Sequence, residues 1–271
     1  MPSVLCAVAH GLYVPWLEIL KEGQSKTWLA QPTPDNVEII HYHGTPLNSI
    51  IYPLDKIHER IRWSNRYMYR LLKLIDNLTL RPWINYIPPI EESSILNLEN
   101  KVMHVRFPDL YLTHRWKILS LMNFFLNHTN HDYLFTTTTS SYINLEVLSQ
   151  KIEEFEPGDL YFGALPYEGA EFISGSNRIF SRITVSKLLL AKHFLKPGII
   201  EDLAVGQLLS KIGVKPTFIP LINISSIQEL DNIQDVTLRE NYHFRLKSGS
   251  NTRRDDAKIM RALHYRYGKA R

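Results

Sequence analysis

Apolar and polar positions follow two alternating rhythms along this chain. The opening SVLCAVAHG (3–11) is an unbroken apolar run ending in small residues and a turn, the pattern of a strand buried on both faces. Residues 15–30 switch to helical spacing, and NVEIIHYHG (36–44) returns to a strand closed by a glycine. IHERIRWSNRYMYRLLKLIDNL (57–78) predicts a basic, aromatic helix. LRPWINYIPPIEESS (80–94) predicts a proline-rich connector with the makings of a flap. KVMHVRF (101–107) is a third strand, HRWKILSLMNFFLNH (114–128) a helix and DYLFTT (132–137) a fourth strand. LEVLSQKIEEF (145–155) then predicts a helix, DLYFGAL (159–165) a strand, and EFISGSNRIFS (171–181) a strand interrupted by a glycine. RITVSKLLLAKHFL (182–195) is a helix stopped by Pro197-Gly198. In EDLAVGQLLSKIG (201–213), Val205, Leu208, Leu209 and Ile212 share one helical face, which leaves Glu201 and Asp202 at the helix start. KPTFIPLINI (215–224) closes the core as a strand.

Strands alternating with helices, with no repeat and no linker, predict a single α/β domain with a mostly parallel central sheet flanked by helices. The domain spans residues 1–247, and residues 248–271 form a basic helical tail packed on it. Composition fits a folded protein, with 44% apolar residues, 14 Tyr, 11 Phe and 5 Trp in 271. The net charge of +4 is concentrated after residue 238, where it can meet phosphates. No nucleic-acid motif accompanies it, so a nucleic-acid partner is not expected. Cys6 is the only cysteine, which excludes an intrachain disulfide and a cysteine-type zinc site. The longest apolar run, ILSLMNFFL (118–126), is too short to span a bilayer, and no signal peptide is visible. A cytoplasmic setting is expected.

The chemistry concentrates where the predicted strands end, since parallel sheets bind ligands outside their carboxyl ends. These places hold Ala9-His10, His41 and His43, the six hydroxyls Thr136–Ser141, Gly175-Ser176 and the Glu201-Asp202 helix start. His41 and His43, two apart on a strand, have no third metal ligand in view. His243, Arg245 and Lys247 alternate, so an extended strand presents all three on one face.

Four segments, in order, resemble the inverting glycosyltransferases related to Fringe and the β-1,3-galactosyltransferases. GQSKTW (23–28) resembles R-x-T-W, and DYLFTTTTSSYIN (132–144) resembles D-F-L-L-K-T-D-D-D-x-F-V-N. FISGSNRIFSRITVSKLL (172–189) resembles Y-x-S-G-x-x-Y-V-L-S-x-x-x-x-x-x-L, and IIEDLAVGQLLSKIGVKP (199–216) resembles E-D-V-x-V-G-x-x-L-x-x-L-G-V-x-P. The resemblance implies a GT-A, Rossmann-like fold. It also implies inverting transfer of a hexose or deoxyhexose from a nucleotide diphosphate sugar (UDP-, GDP- or dTDP-linked) to a glycan acceptor.

The resemblance assigns the catalytic base to Asp202. It places Gly175, Ser176 and Glu201 on the acceptor side. The donor is expected against Ala9, His10, Lys26, Arg115, Thr137, Thr138, Thr139, Ser140, His243, Arg245 and Lys247, the first two by their place at a strand end and Arg245 and Lys247 by their charge. Beside the resemblance, the lack of a Golgi-type stem, signal anchor and disulfides favours a bacterial or viral origin. The family's metal-binding D-D-D is replaced here by Thr138-Thr139-Ser140. Neutral hydroxyls are poor ligands for Mg²⁺ or Mn²⁺, so no metal and no other cofactor is expected. Either the diphosphate is held by hydroxyls and cations, or the protein is a catalytically inactive, glycosyltransferase-like sugar or nucleotide binder.

Overall fold

The computed structural model describes residues 1–46, 90, 94–97, 99–109, 113–196, 199–249 and 254–270. The basic helix expected at 57–78, nearly all of the proline-rich segment at 80–94 and the Pro197-Gly198 stop lie outside the described residues.

The described strands are β1 (Val4–Ala9), β2 (Val37–Thr45), β3 (Ser94–Asn97), β4 (Val102–Pro108), β5 (Tyr133–Thr138), β6 (Ser141–Ile143), β7 (Tyr161–Ala164), β8 (Asn177–Ser181), β9 (Thr217–Ile219) and β10 (His243–Arg245). Eight of them form one sheet in the order β3-β4-β2-β1-β5-β8-β7-β9, and β10 pairs with β6 in a separate ribbon. Within the large sheet β1–β2, β1–β5, β2–β4 and β7–β9 are parallel. The pairings β3–β4, β5–β8 and β7–β8 are antiparallel. The result is a single α/β domain whose sheet is mostly parallel, as the alternation of elements predicts.

The apolar run of β1 explains its central position. Leu5 and Ala7 face one core layer, and Val4, Cys6 and Val8 face the other. The first layer is closed by α2 (His114–His128), α4 (Arg182–Leu190) and α5 (Glu201–Lys211). The second is closed by Trp28, by Leu148 of α3 (Leu145–Glu153) and by Ile259, Met260 and Leu263 of α8 (Asp256–Ala270). Cys6 is buried and free, and burial pushes its thiol pKa upward, as suits an inert core residue.

Three expected elements form differently, one being the strand at 215–224, which forms only as β9 (Thr217–Ile219) at the edge of the sheet, largely exposed, and does not close the core. Residues 15–30 do not make one helix. They run from α1 (Trp16–Glu18) through a π-turn at Ile19–Gly23 into short 3₁₀ turns at Gln24–Lys26 and Trp28–Ala30. Packing overrides the spacing here. Gly23 lies against α8, where an added Cβ would come within 3.1 Å of Met260 Sδ. Gln24 and Trp28 are drawn inward to bond the Ser141 carbonyl. The strand expected over 171–181 begins only at Asn177, because the Gly175 amide turns away to a side chain of α5. Two short helices, α6 (Ile227–Asp231) and α7 (Asp235–Glu240), fill the stretch before β10.

Helix α5 is held close to its neighbours through Gly206, where a Cβ would lie 2.4 Å from Phe172 Cβ. That contact fixes where its N-terminus, with Glu201 and Asp202, meets the strand ends. No described helix is long and apolar enough to cross a membrane.

Candidate active site

The six hydroxyls divide into two groups. Thr136 Oγ1 accepts from Arg178 Nε at 3.2 Å, Thr137 Oγ1 donates to the Ser176 carbonyl at 2.9 Å, and Ser141 Oγ pairs with His243 Nε2 at 3.0 Å. These three are buried and tie strands together. Thr138 ends β5, and Thr139 and Ser140 form the turn that follows it. The Thr139 amide donates to Ala9 O at 3.2 Å, and the Ser140 carbonyl accepts from Leu246 N at 2.6 Å. The Ser140 hydroxyl is buried and makes no hydrogen bond. The turn is therefore seated between the end of β1 and the end of β10, with Gln24 Nε2 bonding the Thr138 and Ser141 carbonyls beneath it at 3.3 Å.

Beside it lies the start of α5. Asp202 Oδ2 accepts from the Gly175 amide at 3.2 Å, and Oδ1 accepts from Leu203 N at 2.9 Å. A carboxylate in the first helical turn would ordinarily be favoured in its ionised form. Here burial, then the neighbouring Glu201 charge, push the Asp202 pKa upward against the pull of Arg178. Asp202 is thus a stronger base than a solvated aspartate.

Glu201 behaves in the opposite way. Its Oε1 is 2.8 Å from Arg178 Nη1, and its Oε2 is 3.6 Å from His114 Nδ1. Burial alone would raise its pKa, but Arg178 and His114 outweigh it and hold Glu201 down to about 2. Burial likewise opposes the Arg178 charge, and Glu201 overcomes it and raises the pKa. Two adjacent carboxylates therefore differ in role, with Glu201 locked in an ion pair and Asp202 left basic. Breaking a buried pair leaves an uncompensated charge. Arg178→Met should lower the unfolding free energy by about 3–5 kcal/mol in a denaturant titration, and adding Glu201→Leu should recover much of that loss. A loss below about 1 kcal/mol for the single variant would show that Glu201 is solvated once Arg178 is gone.

The ends of β1, β2 and β4 carry a row of imidazoles. His10 lies edge-on to His41 and His43, with ring centroids 5.5 and 5.0 Å away, and His43 is 5.3 Å from His104. The Nδ1 atoms of His10 and His41 are buried without a partner. Burial and then the neighbouring rings push His10 down to about 3, and burial pushes His41 down to about 4, so both are neutral at pH 7. Asp109 and Lys117, a buried ion pair, sit close enough to His10 to influence it.

The remaining candidates are scattered. Ala9 and His10 border the turn. Ser176 shares a hydrogen bond with Ser174 at 2.9 Å, behind Gly175. Lys26 is exposed and pairs with Glu22, while its neighbours Gln24 and Trp28 are the residues of that segment that reach the turn. Arg115, in the first turn of α2, is buried over the Trp116 ring. Its Nε has no partner, and burial lowers its pKa to about 10. His243 faces Ser141 and is buried, Arg245 is half-buried opposite Ser141, and Lys247 is exposed beyond the strand. Residues 243, 245 and 247 thus differ in depth despite their alternation. Trp28 was a candidate beside Lys26, for donor contact or for packing, whereas Gln24, Arg178, His104 and His114 were not among the sequence candidates. A basic residue within a strand, as Arg178 is, was the visible signal for one of them.

The side chains of the turn are hydroxyls only, His243 Nε2 is engaged by Ser141, and among the described residues no group of three or more His, Cys, Asp or Glu is gathered together.

No protein-family model and no curated protein sequence matches the chain. Many solved chains are similar to it, and three of them follow. The first is a glycosyltransferase involved in the glycosylation of the major capsid of PBCV-1, with 8% identity over 97% of this chain and 99% of that one, at a TM-score of 0.49. The glycosyltransferase GlyE of Streptococcus pneumoniae has 7% identity over 97% of this chain and 61% of its own, at 0.43. Mouse xyloside xylosyltransferase 1 has 10% identity over 91% and 94%, at 0.41. All three scores fall below 0.5, so function is inferred from the chemistry of the site itself.

Proposed function

We propose that the chain is an inverting glycosyltransferase that moves a sugar from a nucleotide diphosphate sugar to a glycan acceptor without a divalent metal. The observation that carries this is Asp202. It is a carboxylate with a raised pKa, held by the Gly175 amide at the carboxyl end of the sheet, beside a neutral hydroxyl turn. Inverting transfer needs a base that takes the acceptor hydroxyl proton as that oxygen attacks the anomeric carbon. The bond from that carbon to the diphosphate breaks on the opposite face, and the nucleoside diphosphate leaves with the electron pair.

The developing phosphate charge needs positive partners in a metal-free site. Arg245 is the cation nearest in register to the turn, opposite Ser141, and it feels the charge of Asp202. The sequence resemblance to Fringe-related enzymes implies the same role for Asp202. One observation favours a second reading, a catalytically silent nucleotide or sugar binder: the turn has no carboxylate.

Calorimetric titration with UDP, GDP and dTDP, first in EDTA and then with Mn²⁺, tests the proposal. Binding of one nucleotide that chelation leaves unchanged is the expected result. Binding that requires Mn²⁺ would remove the metal-free claim, and no binding in either condition would remove the donor site.

A further inference from the structure

The basic stretch before α8 places one cation deep inside the protein, and the site described above leaves it unused. Arg254 precedes the fully buried Asp256, whose Oδ1 accepts from Ser248 N at 2.9 Å and from Ser248 Oγ at 2.6 Å. Asp256 Oδ2 lies 2.7 Å from Arg254 Nη2, and the Arg254 side chain is 3% exposed. Its guanidinium stacks on the Trp16 ring, 4.7 Å from the centroid, while its Nε is buried and has no hydrogen-bond partner.

Two contacts place this guanidinium against the segments that flank the hydroxyl turn. Trp16 packs on Gly11, just beyond β1, where an added Cβ would lie 2.9 Å from Trp16 Cδ1. Arg254 Nη2 is 3.5 Å from the carbonyl of Leu246, whose own amide donates to Ser140 O. Arg245 is the residue before Leu246. Among the described residues it has no ion pair, and its pKa is lowered first by burial and then by Arg254.

The Arg245 guanidinium one residue from Leu246, the buried Arg254 N–H without an acceptor and the buried unpartnered Ser140 hydroxyl thus all belong to segments that meet at the Leu246–Ser140 bond. Leaving such donors unsatisfied costs about 1–3 kcal/mol each, so a site of this kind is built for an acceptor. Planar guanidiniums suit phosphate oxygens, and stacking on an aromatic ring pre-orients the fork.

We propose that Arg254 and Arg245, with the Ser140 hydroxyl, form a seat for the diphosphate of the nucleotide sugar, two fixed guanidiniums supplying the positive charge that relatives take from a divalent cation. The proposal rests on the glycosyltransferase reading and names the residues that hold its leaving group. Asp256 is the positioning residue that aims Arg254.

Inorganic pyrophosphate, the three nucleoside diphosphates and the corresponding nucleosides, titrated calorimetrically in EDTA, provide the test. Arg245→Gln removes a cation that has no ion pair. Arg254→Gln combined with Asp256→Asn removes the second without stranding a buried carboxylate. Arg254→Lys keeps the charge beside Asp256 and gives up the planar fork, which guards against a double variant that does not fold. Pyrophosphate and nucleoside diphosphate binding should each weaken roughly tenfold or more per guanidinium removed, with nucleoside binding unchanged.

Folded variants that bind pyrophosphate as the wild type does would overturn the seat while leaving the donor site standing. A wild type that binds a nucleoside diphosphate but not pyrophosphate would also overturn it. Pyrophosphate binding that is lost in the variants, in a protein that transfers no sugar, would sustain the seat and sink the enzymatic reading.

Discussion

Acidification from pH 7 to about 4.5 should unfold the protein or bring it close to unfolding, because three buried histidines resist protonation. His10, His41 and His243 have an ordinary pKa of 6.5 and folded values of about 3, about 4 and about 3. The cause is burial in each case, helped by neighbouring imidazoles for His10 and by Arg245 for His243. Above pH 6.5 both folded and unfolded chains carry these rings neutral, and they contribute nothing to pH dependence. Below it the unfolded chain takes up protons that the folded one refuses, so stability is lost as pH falls towards the folded values.

Each ring costs about 1.4 kcal/mol per pH unit over roughly two units, or about 8 kcal/mol for the three by pH 4.5. A domain stable by about 5–15 kcal/mol has little left after that loss. Glu201 adds to it further down, since a carboxylate held at about 2 loses its contribution as pH falls below its ordinary 4.5. Urea titrations between pH 7 and 5 should show uptake of about three protons on unfolding. His41→Gln or His243→Gln should each reduce that number by about one. A stability that stays flat across this window would mean that the imidazoles are hydrated in solution.

The second large effect concerns Asp202. Asp202→Asn should lower the transfer rate by about 10²–10⁴-fold, the usual contribution of a positioned general base. The amide oxygen can still accept from one of the Gly175 and Leu203 N–H groups, which now bond separate carboxylate oxygens, while the amide nitrogen faces the other. Nucleotide binding should stay close to that of the wild type, and stability should fall by no more than the cost of one unmade hydrogen bond, about 1–3 kcal/mol. Stability may be compared directly, because burial and Glu201 already disfavour the aspartate charge. Unchanged turnover in the folded variant would assign the proton to another group. A product with the donor's anomeric configuration retained would remove the need for this base altogether.

The sequence carried the sheet better than the site. The strand β1 was legible because a run buried on both faces admits only apolar residues, and the helix start at Glu201-Asp202 because acids precede a clear apolar face. The Arg178–Glu201 pair was not legible, since it joins residues 23 apart through the pairing of β5 with β8. The imidazole row showed only its middle. His41 and His43 alternate on one strand, whereas His10 and His104 arrive from the strands on either side. The basic tail announced charge but not depth. Arg254 is set apart from its basic neighbours by a buried aspartate and a tryptophan more than two hundred residues earlier, and no local pattern encodes that.

The bond from the Leu246 amide to the Ser140 carbonyl carries a consequence for how the protein is made. The hydroxyl turn leaves the ribosome about a hundred residues before the strand that completes it. Strand β1 is itself paired with β5 across more than 120 residues. Contacts this distant close slowly and are made late, after the intervening chain has been ordered. A nascent chain that has already built most of its sheet therefore still lacks one wall of its proposed donor site until β10 and α8 have emerged. In synthesis the sheet comes before the proposed chemistry.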